Sequence, residues 1–294
     1  MKLYDITFVG HMCYDEIIPF EGKSRIAPGS AVLCGAVVAA RTGKKVAAIV
    51  KMAQKDESIL APMKQLGIDV YVIPSNETTY SKVIHPVADV DVRRLILEKS
   101  AGPIAFDEMP DIETKYMHLA GISDQEFTMD LLEALKNKGY HLSTDMQSFV
   151  RQVDQVTKEI SFNDVAMKKE IVSMMEKVKL DVVEAKILTG REDLEEAALV
   201  VESWGGREIM ITHSEGVITR VDGVTYYEEF SNANTIGRTG RGDTTFAAYL
   251  SRRMDYGTAD SLKFAAALVS IKMESPGPFS GTMEDVAERM RLYY

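Results

Sequence analysis

The residues with the clearest chemical potential lie in a glycine-rich turn that precedes a helical pattern. Glycines occupy positions 237, 240 and 242, Asp243 follows, and small and apolar residues then continue at helical spacing to about Gly257. Glycines let backbone N–H groups approach an anion closely, and a helix start adds further N–H groups and the positive end of the macrodipole. The segment therefore predicts a phosphate-binding turn, with Asp243 either as a base beside it or as a plain N-cap.

Two better-known phosphate-binding patterns do not describe this turn. No Gly-Lys-Ser/Thr follows the glycines, as a Walker A loop requires, and their spacing differs from that of the dinucleotide fingerprint. An α/β oxidoreductase is the alternative from another enzyme class, and the absence of the dinucleotide spacing counts against it.

The elements that must position this turn alternate along the chain. Short β-rich runs are predicted at residues 6–10, 14–20, 46–50, 70–73, 116–119, 141–144 and near Val182. Helices are predicted at residues 30–41, 57–66, 126–138, 164–178 and 194–204. This alternation implies an α/β fold with a mostly parallel sheet covered by helices on both faces.

Two stretches depart from the alternation. Residues 79–97 are β-rich without helical periodicity and predict two strands, 80–86 and 91–97, which with 14–20 could form a small sheet. Such a sheet is either a lid over a ligand, drawn from about residues 13–27 and 79–98, or an ordinary β-meander at an edge. Near the other end, Asp222-Gly223 separates two β-runs and predicts a hairpin.

The amino-acid composition limits which binding partners and which cellular compartment are expected. The 294 residues carry 34 basic and 44 acidic side chains, a formal net charge of −10, without a basic block. We therefore expect neither nucleic acid nor an anionic membrane as the main partner. The two cysteines suggest no disulfide framework or zinc site. With no long apolar run and no signal peptide pattern, a cytoplasmic protein is expected.

Residues 239–244, with the sequence TGRGDT, resemble the C-terminal signature T-G-A-G-D-[TA]-F of ribokinase-like (PfkB-type) carbohydrate kinases. The resemblance implies a single ribokinase-like domain, a three-layer sandwich with a small β lid, that transfers phosphate from ATP to a hydroxyl. Carried over by position, Asp243 is the catalytic base, and the backbone of Gly240, Arg241 and Gly242 forms the anion hole for the transferred group.

Two further matches concern the acceptor. Residues 10–15 resemble the first strand and turn of the family, which implies that Asp15 holds acceptor hydroxyls. Residues 28–31 resemble the N-terminal Gly-Gly element, although only one glycine remains, and imply contacts from Gly29 and Ser30. Arg93, in the predicted lid, is a further candidate for binding the substrate.

Other matches concern the phosphate donor and its metal. Residues 181–190 resemble the N-x-x-E element, with Asp181 in place of asparagine, and imply that Glu184 organises Mg²⁺ through water; a plain helix-terminal charge is the alternative. Residues 211–216 resemble the nucleotide-side turn V-T-x-G-x-x-G. This match implies cofactor contacts from Thr212, Ser214 and Gly216, with Ser214 replacing a glycine. The helix at 264–273 resembles the one that lines the adenine pocket.

Departures from the family pattern leave two points open. Arg241 replaces the usual alanine, and its side chain either contacts phosphate or substrate or points to solvent. Gly237 stands where many relatives have an aspartate that shapes a monovalent-cation site, so a potassium requirement is undecided.

The substrate is suggested by residues 142–151, which together with TGRGD resemble the myo-inositol kinase branch. A neutral polyol or cyclitol is favoured, followed by a nucleoside and then a phosphosugar. A non-catalytic nucleotide or sugar sensor is the alternative from another class, and the presence of both Asp243 and Glu184 counts against it. Whether the protein forms a homodimer through the lid is left undecided by the sequence.

Overall fold

The protein is described by a computed structural model that covers residues 2–89 and 92–294. The predicted strand at 91–97 begins at Asp91, which lies outside the described residues. The strands are β1 Leu3–His11, β2 Cys13–Ile18, β3 Arg25–Gly29, β4 Val46–Ala53, β5 Asp69–Ser75, β6 Thr79–Ile84, β7 Arg94–Lys99, β8 Glu113–Leu119, β9 Leu142–Asp145, β10 Arg151–Val153, β11 Ile160–Phe162, β12 Lys177–Asp181, β13 Glu208–Thr212, β14 Gly216–Val221 and β15 Val224–Glu229. The α-helices are α1 Ala31–Arg41, α2 Ala61–Gln65, α3 Met129–Asn137, α4 Gln147–Val150, α5 Lys168–Met174, α6 Val182–Thr189, α7 Leu194–Ser203, α8 Arg241–Arg253, α9 Thr258–Met273 and α10 Met283–Tyr293.

The larger sheet has the strand order β15-β14-β13-β12-β9-β8-β1-β4-β5. Its strands from β13 to β5 pair in parallel, whereas β14 and β15 are antiparallel. Ala36 and Phe246 represent the buried core on one face, and Leu132 and Val201 represent the core on the other. The predicted α/β architecture with a largely parallel sheet and helices on both faces is therefore confirmed.

A smaller sheet stands apart with the order β3-β2-β6-β7. We call it the lid sheet, because its strands overlap the segments predicted to form a lid; that it moves over a ligand stays a prediction. Only Met12 separates β1 from β2, and residues 76–78 separate β5 from β6. Two strands of the main sheet, β1 and β5, which lie on either side of β4, therefore lead almost directly into the lid sheet.

A buried polar contact holds these two connections together. His11 Nδ1 lies 2.8 Å from Thr79 Oγ1, which also accepts the Ala101 backbone N–H at 3.0 Å. The His11 backbone N–H donates to Glu126 Oε2 at 2.7 Å. The junction between the two sheets is thus tied to the main body by hydrogen bonds that are shielded from water.

The helix predicted at 164–178 is too long, since α5 ends at Met174 and residues 177–181 form β12. The strand predicted near Val182 is this β12, which ends at Asp181, while Val182 itself starts α6. Two lysines in β12 conceal a buried strand, since Lys177 pairs with Glu208 and Lys179 pairs with Asp145. Asp181 then caps α6, because its Oδ1 accepts the Glu184 N–H at 2.8 Å.

Other differences are smaller. The helix predicted at 57–66 begins as a 3-10 helix over Gln54–Leu60 and continues as α2. The strand β3 and the C-terminal helix α10 were not predicted. The hairpin prediction is confirmed, since Asp222 and Gly223 both have positive φ, at 50° and 79°, as a type I′ turn requires. Within residues 2–89 and 92–294, no helix has the length and apolar character that a membrane crossing needs.

Candidate active site

A cavity of about 390 Å³ lies between the lid sheet and the carboxyl ends of the parallel strands. Its walls come from the lid sheet, from the segments that follow β9 and β12, and from the glycine-rich turn before α8. Open α/β sheets bind ligands at this edge of the parallel strands. The fold thus brings together segments that are far apart in sequence.

The glycine-rich turn forms one end of the cavity. Gly240 has a φ of 80° and precedes the first residue of α8. The Arg241 N–H donates to the Arg238 carbonyl at 3.0 Å, so this predicted anion-hole amide already has a partner inside the protein. A β-carbon on Gly242 would lie 2.7 Å from Lys179 Nζ. Glycine at 242 therefore lets the ammonium group approach the start of the helix.

Asp243 lies on the first turn of α8 and faces the cavity. Gln147 Nε2 donates to its Oδ1 at 3.3 Å and to the Gly121 carbonyl at 2.8 Å, which fixes the orientation of both side chains. Burial raises the pKa of Asp243, as does the nearby Asp145, while basic neighbours including Lys179 oppose the rise. A carboxylate with a raised pKa and an open approach suits a general base.

Lys179 is the centre of a buried charge network under the cavity. Its Nζ lies 2.8 Å from Asp145 Oδ2 and 3.9 Å from Glu184 Oε2, and its side chain is only 3% exposed. Burial alone would lower the pKa of Lys179, but the carboxylates of Asp145, Glu184 and Asp181 outweigh it and raise that pKa. Lys179 is therefore positively charged next to the predicted anion hole.

Glu184 lies behind the basic groups and has no exposed surface. Its Oε2 accepts the Asp181 N–H at 2.8 Å, and its Oε1 lies 3.8 Å from Arg151 Nη2. Burial, together with the Asp181 carboxylate, raises the pKa of Glu184. The structure thus places Glu184 within ion-pair distance of both Lys179 and Arg151, in addition to its capping bond at the start of α6.

The carboxylates near the cavity fit a magnesium ion that is held mostly by phosphate oxygens and water. In the described part of the chain, no group of three or more His, Cys, Asp or Glu side chains is arranged as a metal site. Asp181 lines the cavity, and Glu184 Oε1 is a buried oxygen that has no hydrogen-bond partner among the described residues. Mg²⁺ is commonly bound by one or two carboxylates plus substrate phosphates.

Asp15 projects into the cavity from the lid sheet. Ser81 Oγ donates to its Oδ1 at 2.5 Å, and Cys13 Sγ lies 3.4 Å from the same oxygen. A β-carbon on Gly29 would lie 1.9 Å from Asp15 Oδ2, so only glycine leaves room for this carboxylate. Burial raises the pKa of Asp15, and hydrogen bonds from Ser81 and Cys13 oppose the rise. Asp15 and Gly29 therefore form one unit in the wall of the cavity, and their contact with the acceptor stays a prediction.

Ser30, the second predicted acceptor contact in this segment, has an unusual backbone. Its φ is 143°, a value that favours glycine, and it occupies the position of the second glycine in the family pattern. Its Oγ accepts the Leu33 N–H at 3.0 Å and caps α1. Non-glycine residues in such conformations store strain of order 1–3 kcal/mol, and they cluster at functional sites.

We expect Ser30→Gly to raise the free energy of unfolding by about 1 kcal/mol, because it removes the strain and a glycine cap costs only a few tenths of a kcal/mol. Ser30→Ala keeps the β-carbon and loses the cap, so it should lower that free energy by about 1 kcal/mol. Urea denaturation of the three proteins measures both changes. A Ser30→Gly protein that is no more stable than the wild type would show that backbone strain is negligible at this position.

Arginines from separate elements converge on the cavity. Arg93, Arg151, Arg238 and Arg241 all line it. Burial, then the charges of Arg151 and Arg238, lower the pKa of Arg93 to about 10, while Asp181 opposes the shift. At neutral pH Arg93 stays charged. Arg151 and Arg238 lower its pKa because their guanidinium groups lie near it in the same cavity.

The predicted nucleotide-side residues are only partly brought to the cavity. Thr212 lines it, whereas Ser214 is exposed on the turn after β13. Gly216 lies in β14, where a β-carbon would meet the Glu228 carbonyl oxygen at 2.6 Å, so its glycine is explained by strand packing. The helix predicted to line an adenine pocket is the C-terminal part of α9, which packs against α8.

Sequence reasoning missed several residues of the cavity. Gln147 and Arg151 belong to the segment 142–151, whose resemblance was used only for the substrate branch. Lys179 had a detectable signal, since a lysine at the centre of a short apolar run bounded by acids is unusual. Arg238 lies inside the glycine-rich turn and was passed over because the glycines and the aspartate explained the motif.

The comparison with known proteins agrees with this geometry. Residues 5–285 match the pfkB family carbohydrate kinases. The solved structure of a pyrophosphate-dependent kinase in the ribokinase family, complexed with a pyrophosphate analog and myo-inositol, has a TM-score of 0.88 and 33% identity, over 96% of this chain and 99% of that one. The cytidine kinase of Thermococcus kodakarensis is 26% identical over 261 residues, which are 85% of this chain and 88% of that protein. The Arabidopsis thaliana ribokinase complexed with ribose and ATP has a TM-score of 0.76 at 15% identity, over 99% and 100% of the two chains.

The fold and the site define a phosphotransferase that acts on sugars or polyols. Since the family match spans nearly the whole chain, this protein belongs to the pfkB family of carbohydrate kinases. The ribokinase-like fold expected from the TGRGDT segment is confirmed.

Proposed function

We propose that this chain transfers a phosphoryl group from pyrophosphate to a hydroxyl of a neutral cyclitol, with myo-inositol as the first candidate. The observation that carries the proposal is the charge of the cavity. Among the described residues that line it, six basic side chains face three acidic ones, in a chain whose net charge is −10. Such a local excess of cations suits a small, highly charged donor.

The donor assignment differs from the ATP predicted from the family resemblance, and two features favour pyrophosphate. The described lining residues include no aromatic side chain on which an adenine ring could stack. Arg238 and Arg241 lie within the glycine-rich turn, where guanidinium groups can make paired hydrogen bonds to phosphate oxygens. The pyrophosphate-dependent kinase described above supports the same donor.

The acceptor assignment rests on the lid side of the cavity. The Asp15 carboxylate can accept hydrogen bonds from two neighbouring hydroxyls, as a vicinal diol offers. Gly29 and Ser30 lie beside it and bring little bulk. A cavity near the lower end of the usual range of about 300–1,000 Å³ suits a compact cyclitol next to a compact donor.

The proposed reaction assigns a task to each group. A hydroxyl oxygen of the acceptor attacks the terminal phosphorus of pyrophosphate, the bridging P–O bond breaks, and inorganic phosphate leaves. Asp243 takes the hydroxyl proton. The amides of Gly240 and Gly242, with the Lys179 ammonium, stabilise the charge that spreads over the equatorial oxygens. Asp181 and Glu184 would hold Mg²⁺ together with the donor, and the ion would supply further positive charge on the phosphates.

An assay of purified protein with paired donors and acceptors tests the proposal. Pyrophosphate and ATP are each offered with myo-inositol, cytidine, ribose and a sugar phosphate, and phosphorylated product is measured by mass spectrometry. We expect product with pyrophosphate and myo-inositol, and a much lower kcat/KM with ATP. Preference for ATP with any acceptor would overturn the donor assignment, and preference for another acceptor would overturn the cyclitol assignment.

A nucleoside kinase that uses ATP is the second candidate, and one observation favours it. The cytidine kinase of Thermococcus kodakarensis aligns with most of the chain. In that case cytidine rather than myo-inositol would give product in the same assay, and the arginines would bind the phosphate chain of ATP.

The role of Arg93 can be distinguished from that of Arg94, the next residue in the chain. If Arg93 contacts the donor, Arg93→Ala should raise the KM for pyrophosphate about 10- to 100-fold, since a hydrogen bond to a charged group contributes about 1.5–3 kcal/mol. Arg94→Ala is the matched control, because Arg94 is exposed and its Nε donates to Glu159 Oε1 at 2.9 Å. A rise confined to the KM of the acceptor would assign Arg93 to the acceptor instead, as first predicted.

A further inference from the structure

Lys272 is a buried lysine that no step above uses. It lies in the last turn of α9 and is only 2% exposed. Its Nζ donates to two backbone carbonyls, those of Gly237 and Thr239, which belong to the glycine-rich turn. An ammonium group has three N–H donors and no acceptor, so these two bonds use most of its capacity.

The segment that Lys272 holds leads straight into the predicted anion hole. Thr239 is followed by Gly240 and the first turn of α8, and a β-carbon on Gly240 would lie 3.9 Å from Lys272 Nζ. The Gly237 N–H donates to the Met273 carbonyl at 2.7 Å. The end of α9 thus holds the turn in two ways: the Met273 carbonyl accepts the Gly237 N–H, and the Lys272 ammonium donates to the Gly237 and Thr239 carbonyls.

The two carbonyl oxygens that face the Lys272 ammonium are arranged as they would be around a bound metal cation. Backbone carbonyls that replace the hydration shell are typical ligands of potassium-like ions. A side chain at position 237 could not add a ligand to this place, since a β-carbon there would lie 1.9 Å from the Ser275 carbonyl oxygen. The ammonium group therefore occupies the position that a small monovalent cation would need.

We infer that Lys272 is a built-in monovalent cation that holds the glycine-rich turn in its anion-binding conformation. It is a positioning residue, because it acts through the turn. A tethered charge cannot dissociate, so the enzyme needs no added potassium or ammonium. Burial of the ammonium is unfavourable, and the nearby Asp243 offsets part of that cost. The kinetic part of the inference rests on the proposed function, whereas the binding of a cation to a variant does not.

The test removes the tethered charge and offers a free one. Lys272→Ala and Lys272→Met are compared with the wild type in potassium, ammonium and choline chloride at one ionic strength. We expect Lys272→Ala in choline to lose on the order of 10²-fold in kcat, the effect of removing one oxyanion-hole donor, with little change in the acceptor KM. Potassium or ammonium should restore part of the rate and raise the melting temperature of Lys272→Ala. Lys272→Met fills the space and should not respond.

The control and the contrary outcomes are well defined. Lys263→Ala removes another lysine of α9, whose Nζ bonds to the Tyr294 carbonyl far from the turn, and should match the wild type. A Lys272→Ala protein with wild-type kcat, or one whose rate and melting temperature both ignore potassium and ammonium, would overturn the inference. So would activation of the wild type by potassium. If the wild type is inactive with pyrophosphate and myo-inositol, the proposed function fails, and the melting temperatures still decide on Lys272.

Discussion

Replacing Asp243 with asparagine is expected to lower kcat by roughly 10²–10⁴-fold, the usual contribution of a positioned general base. The amide cannot take the hydroxyl proton, but it has the same shape and can keep the contact with Gln147 by offering its oxygen to the Gln147 Nε2–H. The fold and the KM for the donor should therefore change little. Turnover with the acceptor identified by the paired assay is the measurement, and near-wild-type turnover would remove Asp243 from the base role.

The same substitution should not weaken the fold. Burial raises the pKa of Asp243 in the folded protein above its usual value, so the folded state favours the protonated form. That contribution to stability is fully present below the unfolded pKa and is lost as the pH rises through the folded pKa. At pH 7 the ionised carboxylate is thus a cost, and Asp243→Asn should melt at the wild-type temperature or above it. A marked drop in melting temperature would instead indicate a structural N-cap.

The pH dependence of the wild type follows from the same shift. A base works only when ionised, so kcat/KM should fall as the pH decreases through the pKa of Asp243. Because that pKa is raised, the fall should come at a higher pH than for an exposed aspartate. Measuring kcat/KM as a function of pH shows this acidic fall directly.

Replacing Lys179 with methionine should have the largest effect on stability. The change leaves the carboxylates of Asp145, Glu184 and Asp181 close together without their shared cation. Removing one partner of a buried ion pair typically costs about 3–5 kcal/mol, and chemical denaturation should show a loss of this size. Activity should fall as well, since Lys179 Nζ lies against the start of α8.

The loss should depend on pH in a defined direction. In the folded wild type Lys179 opposes the rise in the pKa of Glu184. Without Lys179 that pKa rises further, so the protonated form of Glu184 is favoured and the deficit in stability is smaller in acid than in base. Lys179→Met combined with Glu184→Gln should recover part of the stability, because one buried charge is removed. Lys186→Met is the matched control: its ion pair with Glu192 is exposed, and such pairs contribute about 0–1 kcal/mol. A similar loss in the control would contradict the explanation.

The sequence was most informative where the chemistry is local. The glycine-rich turn and Asp243 are contiguous, so a single window contains the backbone geometry and the base. The lid strands were recognisable because β-branched and aromatic residues replaced helical periodicity. The unit of Asp15 and Gly29 could be expected as two contacts, but not as a glycine that makes room for a carboxylate, because that relation exists only across paired strands.

The parts that could not be predicted depend on contacts between distant segments. Arg93, Arg151 and Arg238 come from three separate parts of the chain, and only the fold places their charges in one space. The error at β12 has the same origin, since Lys177 and Lys179 look like surface residues until their partners Glu208 and Asp145 are known. Lys272 gave no signal within its helix, because its carbonyl partners lie in another segment.

The division of the site between two sheets determines how it can choose among acceptors. Asp15 belongs to the lid sheet, whereas Asp243 belongs to the main body, and the junction at His11 and Thr79 joins the two. Holding an acceptor and aligning it for reaction are thus performed by different parts of the molecule. A stereoisomer that satisfies Asp15 but presents another hydroxyl would bind nearly as well and fail to react. Such an isomer would be a competitive inhibitor rather than a poor binder, so discrimination would be found in kcat.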